Sequence, residues 1–430
     1  MNLLFIGTGY VGLVTGGIFS YLGFKVTMLD SDPKKIEDLK NGKMPIYEPY
    51  LDEYIEKAKE NGNITFVDRY QDIQTPPQAI FICVGTPQKE NGEANLEYVK
   101  SAAKEAAKNY NFETIPIIIK STVPPGTCEM IEQFLAREGY HNPVISNPEF
   151  LREGRAVDDC LYPDRVVVGV DGERGRSLME LIYLKFTKQK YPVLYTSRSS
   201  AEMIKYASNS FLATKIAYIN EIANLCEKTG ADVDQVATGM GLDPRIGAEF
   251  LKTGPGFGGS CFPKDILALK HLADEKESPC MILNATIASN QKRYSHIIAR
   301  MKKELGNLSG LMVAAFGLTF KAGTDDIRSS PAIEIIKLLS KEGCYICAYD
   351  PKGMSNIKDT IQIDLAKDYL RCAMGANAII ILTEWDEFKN LDYQKLGNDM
   401  GQKIIFDFRN IIDAEEAKTH GFKVYQIGKA

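Results

Sequence analysis

The sequence predicts an α/β fold: two Rossmann-like doubly wound domains joined by a long central helix and a small helical region. Three observations carry this. Apolar, strand-like runs alternate with helical stretches through the first part of the chain. A proline-free stretch at 199–230 keeps helical spacing throughout. From 311 the alternation of strand and helix begins again.

The elements follow in order. "NLLFI" at 2–6 is a short strand, "GTGYVG" comes next, and a helical pattern runs through Leu22. "KVTMLD" is a second strand ending at Asp30. "AIFICVGTP", "IPIIIKSTVPPGT" and "PVISNPEF" repeat one shape, an apolar run closed by a turn of hydroxyl, Pro and Gly residues. In a parallel doubly wound sheet the carboxyl ends of the strands hold the ligand, and Asp30, Thr86, Thr122 and Glu149 stand at such ends. The long helix has apolar residues at Ile204, Phe211, Ile216, Ile219 and Ile222. Ser199 with Glu202 forms a capping-box pattern at its start, and Gly230 is a stop. The chain stays helical to about 295, apart from an opening loop. In the last part, "LMVAAFGLTFKAG" is a strand and turn. "SPAIEIIKLLSKEG" is a helix with Pro331 near its start and Gly343 after its end, and "YICAYDP" and "AIIILTEW" are strands. No G-x-G-x-x-G follows the first of these strands, so this half is expected to bind a nucleotide and no dinucleotide. The expected domains are 1–198, 199–296 and 297–430.

Bulk properties narrow the partners. The 430 residues suffice for two or three domains, and a net charge of -5 without a basic block excludes nucleic acid as an expected partner. No apolar run approaches membrane-spanning length, and the N-terminus lacks a basic region and cleavage site, so neither a membrane segment nor a signal peptide is expected. Nine cysteines scattered through apolar segments fit free thiols in a reducing cytoplasm. The C-x-x-C of Cys344 and Cys347 sits in a strand-like run and reads as core, and no metal site is expected.

Gly7-x-Gly9-x-x-Gly12 follows a strand and opens a helix, and Asp30 ends the next strand. The glycines permit a tight turn, close approach of a pyrophosphate and close helix packing, while the helix N-terminus attracts the phosphates. Asp30 accepts from a ribose 2′-hydroxyl and repels a 2′-phosphate, which favours NAD over NADP. Lys35 lies a turn into the following helix, near the adenosine end.

Cys261 has two readings, a small buried hydrophobe or a nucleophile. Gly254, Gly256, Gly258 and Gly259 strip side chains from its approach, which would let a ligand come close. Lys264 and a nearby helix start favour a thiolate. Lys205 and Asn209 share one face of the long helix, either as a solvated stripe or facing a partner. Asp265 is either a carboxylate base or the partner of a lysine.

"GTGYVG", "VGTP", "KSTVPPGT", "NPEFLREG", "KYASNSFLATKIAYINE", "DPRIG", "GFGGSCFPKD" and "FKAGTDDIRSSP", in this order, resemble the UDP-glucose 6-dehydrogenase family of nucleotide-sugar dehydrogenases along essentially the whole chain. The resemblance implies a cytoplasmic enzyme, dimeric through its central region. It would oxidise the C6 alcohol of UDP-glucose to a carboxylate with two NAD, through a Cys261 thiohemiacetal and thioester. It gives Lys205 and Asn209 the role of donors to the oxyanions and Asp265 a role with water and Lys205. It makes Thr122 and Glu149 the pair that holds water for proton transfer and hydrolysis. It places Gly7, Gly9, Tyr10, Val11, Gly12, Asp30, Lys35, Gly85, Thr86, Ser121, Thr122, Glu153, Lys264 and Arg328 against NAD. Arg328 has an alternative, an ion pair with Asp325 or Asp326. The nucleotide sugar would meet Phe150, Leu151, Arg152, Lys205, Asn209, Phe250, Leu251, Gly254, Gly258 and Lys321, and Arg245 would reach it from a neighbouring subunit. Other substrates in the same family are GDP-mannose, whose branch shares Ser260, and UDP-N-acetylmannosamine, whose branch has a histidine there. A nucleotide-binding regulator without chemistry would have lost Cys261, Lys205, Asn209 or Asp265, and a 3-hydroxy acid dehydrogenase would need neither the cysteine loop nor a second Rossmann half.

Overall fold

The computed structural model describes residues 1–357 and 360–429. They form two compact units: Met1–Ser208 with Leu267–Lys276, and Asn209–Ile266 with Glu277–Ala430.

The first unit is built on eight strands: β1 (Asn2–Ile6), β2 (Lys25–Leu29), β3 (Ile64–Val67), β4 (Ala79–Ile82), β5 (Ile117–Ile119), β6 (Val144–Ser146), β7 (Val166–Gly169) and β8 (Val193–Thr196). Their order is β3-β2-β1-β4-β5-β6-β7-β8. The first six are parallel in the dinucleotide-binding order, which leaves a crevice beyond the carboxyl ends of β1 and β4, where the strand order reverses. The sheet is not wholly parallel as expected: β7 meets β6 antiparallel through the single pair Ser146↔Gly169, and β8 then runs parallel to β7. An antiparallel neighbour needs no crossover to the opposite end of the sheet, so the chain can return through the turn-rich segment and the short helix Ala156–Leu161. The strands are apolar on both faces because helices cover both. Phe5 of β1 stacks on Phe81 of β4 with centroids 4.5 Å apart, and Phe19, on the helix Tyr10–Tyr21, meets both edge-on. Each such ring contributes roughly 1.5–3 kcal/mol by leaving water.

The second unit repeats the plan with six strands: β9 (Met312–Phe316), β10 (Tyr345–Tyr349), β11 (Asp364–Leu365), β12 (Ala378–Ile381), β13 (Ile404–Asp407) and β14 (Lys423–Gln426). All are parallel, in the order β11-β10-β9-β12-β13-β14. Asp350, just past β10, corresponds to Asp30 just past β2. It is 1% exposed and takes six donors. Oδ2 accepts from the N–H groups of Leu318 and Thr319, the Thr319 hydroxyl and the Trp385 indole; Oδ1 accepts from the N–H groups of Lys352 and Gly353. The Trp385 indole N–H also lies 3.2 Å from Thr319 Oγ1. A carboxylate so engaged has no capacity left for a ribose, which agrees with the absence of the glycine fingerprint in this half.

The long helix spans Arg198–Thr229 and is stopped at Gly230, whose φ of 77° and N–H bond to the Cys226 carbonyl end it. Its start differs from the expected capping box. Ser197 is the cap, accepting from the N–H of Ser200 at 3.2 Å. Ser199 instead donates to Glu129. Glu202 turns away to accept from the N–H groups of Gly126 and Cys128, at 2.7 and 2.9 Å, and so caps the helix Thr127–Arg137. Burial lifts its carboxyl to about 7 against these bonds. Phe211, counted among the apolar positions of this helix, is 66% exposed, and Tyr218 and Leu225 are exposed at the same seven-residue interval. No helix among the described residues is long and apolar enough to cross a membrane.

Candidate active site

The loop after β1 forms a cradle. Gly7 has φ +97°, and a Cβ there would lie 2.8 Å from the Cys83 carbonyl oxygen; a Cβ on Gly12 would overlap the carbonyl oxygen of Gly7. These two glycines are required by the turn and by helix packing. Gly9 differs: a Cβ there meets nothing within 4 Å, so its open side faces the space a pyrophosphate needs. A cavity of about 420 Å³ opens here, lined by Gly7, Gly9, Asp30, Lys35, Gly85 and others. Asp30 Oδ2 accepts from the Thr8 N–H and hydroxyl and from Lys35 Nζ at 2.9 Å. Burial opposes its ionisation, but Lys35 and the Thr8 donors outweigh that and hold the carboxyl below its usual range. Asp30 is therefore an anion with its side chain 14% exposed, able to meet a diol. Thr86 donates to the Thr122 carbonyl at 3.0 Å and Ser121 to that of Val84 at 2.7 Å, binding the loops after β4 and β5 together. The residues present fit NAD.

After β6 the chain passes through Glu149, Phe150, Leu151, Arg152 and Glu153. Glu149 pairs with Lys205 Nζ at 2.9 Å, each side chain 5% exposed. Burial raises the carboxyl, but Lys205, the Leu151 N–H and the more distant Lys120 outweigh it and hold it below the usual range. The Phe150 ring has the Arg165 guanidinium 3.6 Å and Lys205 Nζ 5.3 Å from its centroid. Arg152 is held by Asp159, its Nε 3.0 and 3.2 Å from the two carboxylate oxygens.

In the second unit, Cys261 immediately precedes the helix Phe262–Glu275, its carbonyl accepting the helical bond from Asp265 at 2.9 Å. The positive end of a helix thus adjoins the thiol, a setting that stabilises negative charge. Ser260 Oγ lies 3.6 Å from Cys261 Sγ. Asp265, 1% exposed, accepts from Asn209 Nδ2 and Lys264 Nζ, both at 2.6 Å. The sequence left Asp265 open between base and lysine partner; Lys264 is a lysine it pairs with, and Lys205 pairs with Glu149. The glycine-rich approach also has a cause within the fold. A Cβ on Gly256 would lie 2.7 Å from Asn290 Oδ1, one on Gly259 2.8 Å from the Phe320 ring, and one on Gly258 would overlap the Ser329 carbonyl oxygen. The chain's own packing demands these glycines before any ligand does. Gly254 is fixed by its N–H to Asn220 and its carbonyl to Arg293.

The other predicted residues fall as follows. Gly7, Gly9, Asp30, Lys35 and Gly85 share one cavity, and Val11 lies in the first turn of the helix Tyr10–Tyr21. Tyr10 reaches Glu48. Leu251 is buried in the core of the second unit and Phe250 takes a left-handed φ of 65° beside it. Lys321 Nζ lies 5.4 Å from the Phe320 centroid. Arg328 forms the alternative ion pair, with two bonds of 2.8 Å to Asp326. Arg245 is 87% exposed and clasped to Asp243. All nine cysteines are free, and Cys344 is buried with its thiol on the Leu308 carbonyl, a core role. Sequence reasoning passed over Glu48, Lys120 and Arg165. Lys120 stood inside a quoted motif, and Glu48 lay between two prolines in "PIYEPY", a signal that could have been followed. Lys120 is buried, bonded to Asn147, and desolvation pulls its ammonium below the usual range.

Known proteins bear on this geometry. The UDP-glucose 6-dehydrogenase of Rickettsia prowazekii (strain Madrid E) is 49% identical, the match covering 100% of this chain and 99% of that protein. The UDP-glucose 6-dehydrogenase of Rhizobium meliloti (strain 1021) is 43% identical over 100% of both. Among solved structures, a UDP-glucose dehydrogenase from the hyperthermophilic archaeon Pyrobaculum islandicum superposes with a TM-score of 0.91 at 34% identity, covering 100% of this chain and 98% of that one. The NAD binding domain of the UDP-glucose/GDP-mannose dehydrogenase family matches residues 1–187, its central domain 199–292 and its UDP binding domain 314–414. With two Rossmann-like sheets, a cradle that fits NAD and relatives alike over its full length, the chain belongs to the UDP-glucose/GDP-mannose dehydrogenase family and is an NAD-dependent oxidoreductase.

Proposed function

We propose that this protein oxidises UDP-glucose to UDP-glucuronate, a four-electron oxidation at C6 that consumes two NAD. The observation that carries the reading is Cys261, a thiol at the N-terminal end of the helix Phe262–Glu275 in a chain that also has a dinucleotide cradle. Bound NAD supplies the hydride acceptor for each of the two oxidations. Between them the substrate is an aldehyde. The Cys261 sulfur adds to its carbonyl carbon, and the oxygen takes up a proton, giving a thiohemiacetal. Loss of that proton and of a hydride equivalent leaves a thioester. Water then adds, the C–S bond breaks, and carboxylate and thiol are released.

Lys205 and Asn209 donate to the oxygen as charge develops on it. Asp265 orients Asn209 and Lys264 through its two short bonds. Glu149, ionised beside Lys205, holds and deprotonates the hydrolytic water with Thr122. NAD is met by the cradle and by Thr86, Ser121, Glu153, Lys264 and Arg328, whose side chain stays 66% exposed while paired with Asp326. The nucleotide sugar is met by Phe150, Leu151, Arg152, Phe250, Leu251, Gly254, Gly258 and Lys321. The division 1–198, 199–296 and 297–430 assigns these duties to a cofactor domain, a central region and a nucleotide domain. The working form is a cytoplasmic homodimer. Phe211, Tyr218 and Leu225 form an exposed stripe along the long helix that a second copy would cover, and Arg245, projecting into solvent, would cross to the partner's substrate.

The test is reduction of NAD by purified protein across a panel of nucleotide sugars. Two NAD reduced per UDP-glucose is expected; one per sugar, or activity with GDP-mannose or UDP-N-acetylmannosamine alone, would overturn the assignment. Cys261→Ser should stop before release of the acid, and complete oxidation by that variant would remove the covalent step.

A further inference from the structure

Glu48 has no part in the chemistry above, yet it joins two loops that do. It is 6% exposed. Its Oε2 accepts from the Tyr10 hydroxyl and from the N–H of Gly154 at 2.7 Å, and its Oε1 accepts from the N–H of Ala156 at 2.7 Å. The Tyr10 hydroxyl oxygen also lies 3.1 Å from the Gly154 nitrogen. Tyr10 is the first residue of the helix Tyr10–Tyr21, inside the Gly7-x-Gly9-x-x-Gly12 turn. Gly154 and Ala156 close the run that begins at Phe150. One buried carboxylate therefore gathers donors from the loop that receives NAD and from the loop proposed to receive the nucleotide sugar. Its hold on the buried Ala156 N–H is stiff, because that donor, once released, would be left without a partner.

We infer that Glu48 is a positioning residue that couples cofactor binding to substrate binding, through Tyr10 on one side and the Gly154 and Ala156 amides on the other. Closure of the glycine turn on a pyrophosphate moves or fixes Tyr10. Glu48 follows, and the run Phe150–Arg152 is fixed with it, whichever ligand binds first. The coupling is reciprocal, as linkage requires. It rests on the substrate role proposed for Phe150, Leu151 and Arg152. If Glu48 were only a bracket within the fold, each loop would respond to its own ligand alone.

The experiment compares the full-length protein with Tyr10→Phe, which removes one hydroxyl and leaves the carboxylate on both amides, and with Glu48→Gln. Amide hydrogen exchange across 150–157 is followed with and without NAD. NAD alone should slow exchange there several-fold in the parent protein and leave it nearly unchanged in Tyr10→Phe at NAD saturation. In titrations, saturating NADH, which carries the same pyrophosphate and accepts no hydride, should tighten UDP-glucose binding about fivefold in the parent, the worth of one shared hydrogen bond, and less than about twofold in either variant. Exchange at 150–157 that ignores NAD in the parent, or responds equally in Tyr10→Phe, overturns the inference. Failure to bind UDP-glucose overturns the substrate reading instead, and the exchange measurement, which needs only NAD, then decides the coupling on its own.

Discussion

Replacing Lys205 with Met should strand Glu149 as a buried carboxylate without its cation. At 2.9 Å, in an effective dielectric near 20, their gross attraction is about 6 kcal/mol. Desolvation of two side chains that are each 5% exposed takes back much of this, so the intact pair adds little net stability. Removing one partner is different, because the other keeps its desolvation cost, and about 3–5 kcal/mol should be lost. For an unfolding unit of this size that is a fall of roughly 6–20 °C in Tm at neutral pH. The sign with pH discriminates further. In the parent protein Glu149 is held below its usual range, so its contribution is full above the ordinary carboxylate pKa and is lost as pH falls through the depressed value. In Lys205→Met burial dominates and the carboxyl rises, so the variant regains stability as pH falls through that raised value. Lys120 and Arg165 still face the site and temper the rise without supplying a bond to Glu149. The Tm gap between parent and variant, followed by far-ultraviolet circular dichroism, should therefore narrow from pH 7 toward pH 5. Lys205→Met/Glu149→Gln should recover most of the neutral-pH loss. A gap independent of pH, or a Lys205→Met protein as stable as the parent, would refute this account of the pair.

Two further outcomes follow from packing and protonation. Gly9→Ala should keep its melting temperature and lose NAD affinity by tenfold or more in titration, since its Cβ meets only open space in the cradle. Gly12→Ala, whose Cβ overlaps the Gly7 carbonyl, should lose stability as well. Glu202, lifted by burial to about 7, contributes stability that is full below its unfolded pKa and is lost as pH rises through 7. Glu202→Gln should flatten that decline in a series of thermal melts between pH 5 and pH 8.

What the sequence disclosed follows the range of the interactions involved. Gly7, Gly9, Gly12 and Asp30 were legible because a tight turn, a helix start and a strand end are local events with few solutions. The parallel strands were legible for the same reason, as short apolar runs closed by turns. Glu202 was misread because its spacing from Ser199 satisfies a local rule, while its partners, Gly126 and Cys128, are more than seventy residues away. Glu48 and Lys120 escaped notice because their partners lie far along the chain, and the prolines around Glu48 mark a turn without naming them. The glycines before Cys261 were legible as close approach, but not as approach to Asn290, Phe320 and Ser329. The reversal of β7 was hidden because one pair, Ser146 with Gly169, sets it. Arg328 was left between two roles that depend on its reach, and Asp326, two residues before it, took the ion pair.

Trp385, hydrogen-bonded to Asp350 and Thr319, is the only tryptophan in the chain. Indole emission therefore originates entirely in the second unit, beside the turn that follows β9. Its wavelength and intensity will register a nucleotide that disturbs Thr319 or Asp350, with no background from the cofactor half. Denaturation of the first unit is silent at that wavelength and is seen only by ellipticity or tyrosine. The molecule thus carries its own optical label on one half, and comparing the two signals in a single melt reports whether the halves lose structure together or in turn.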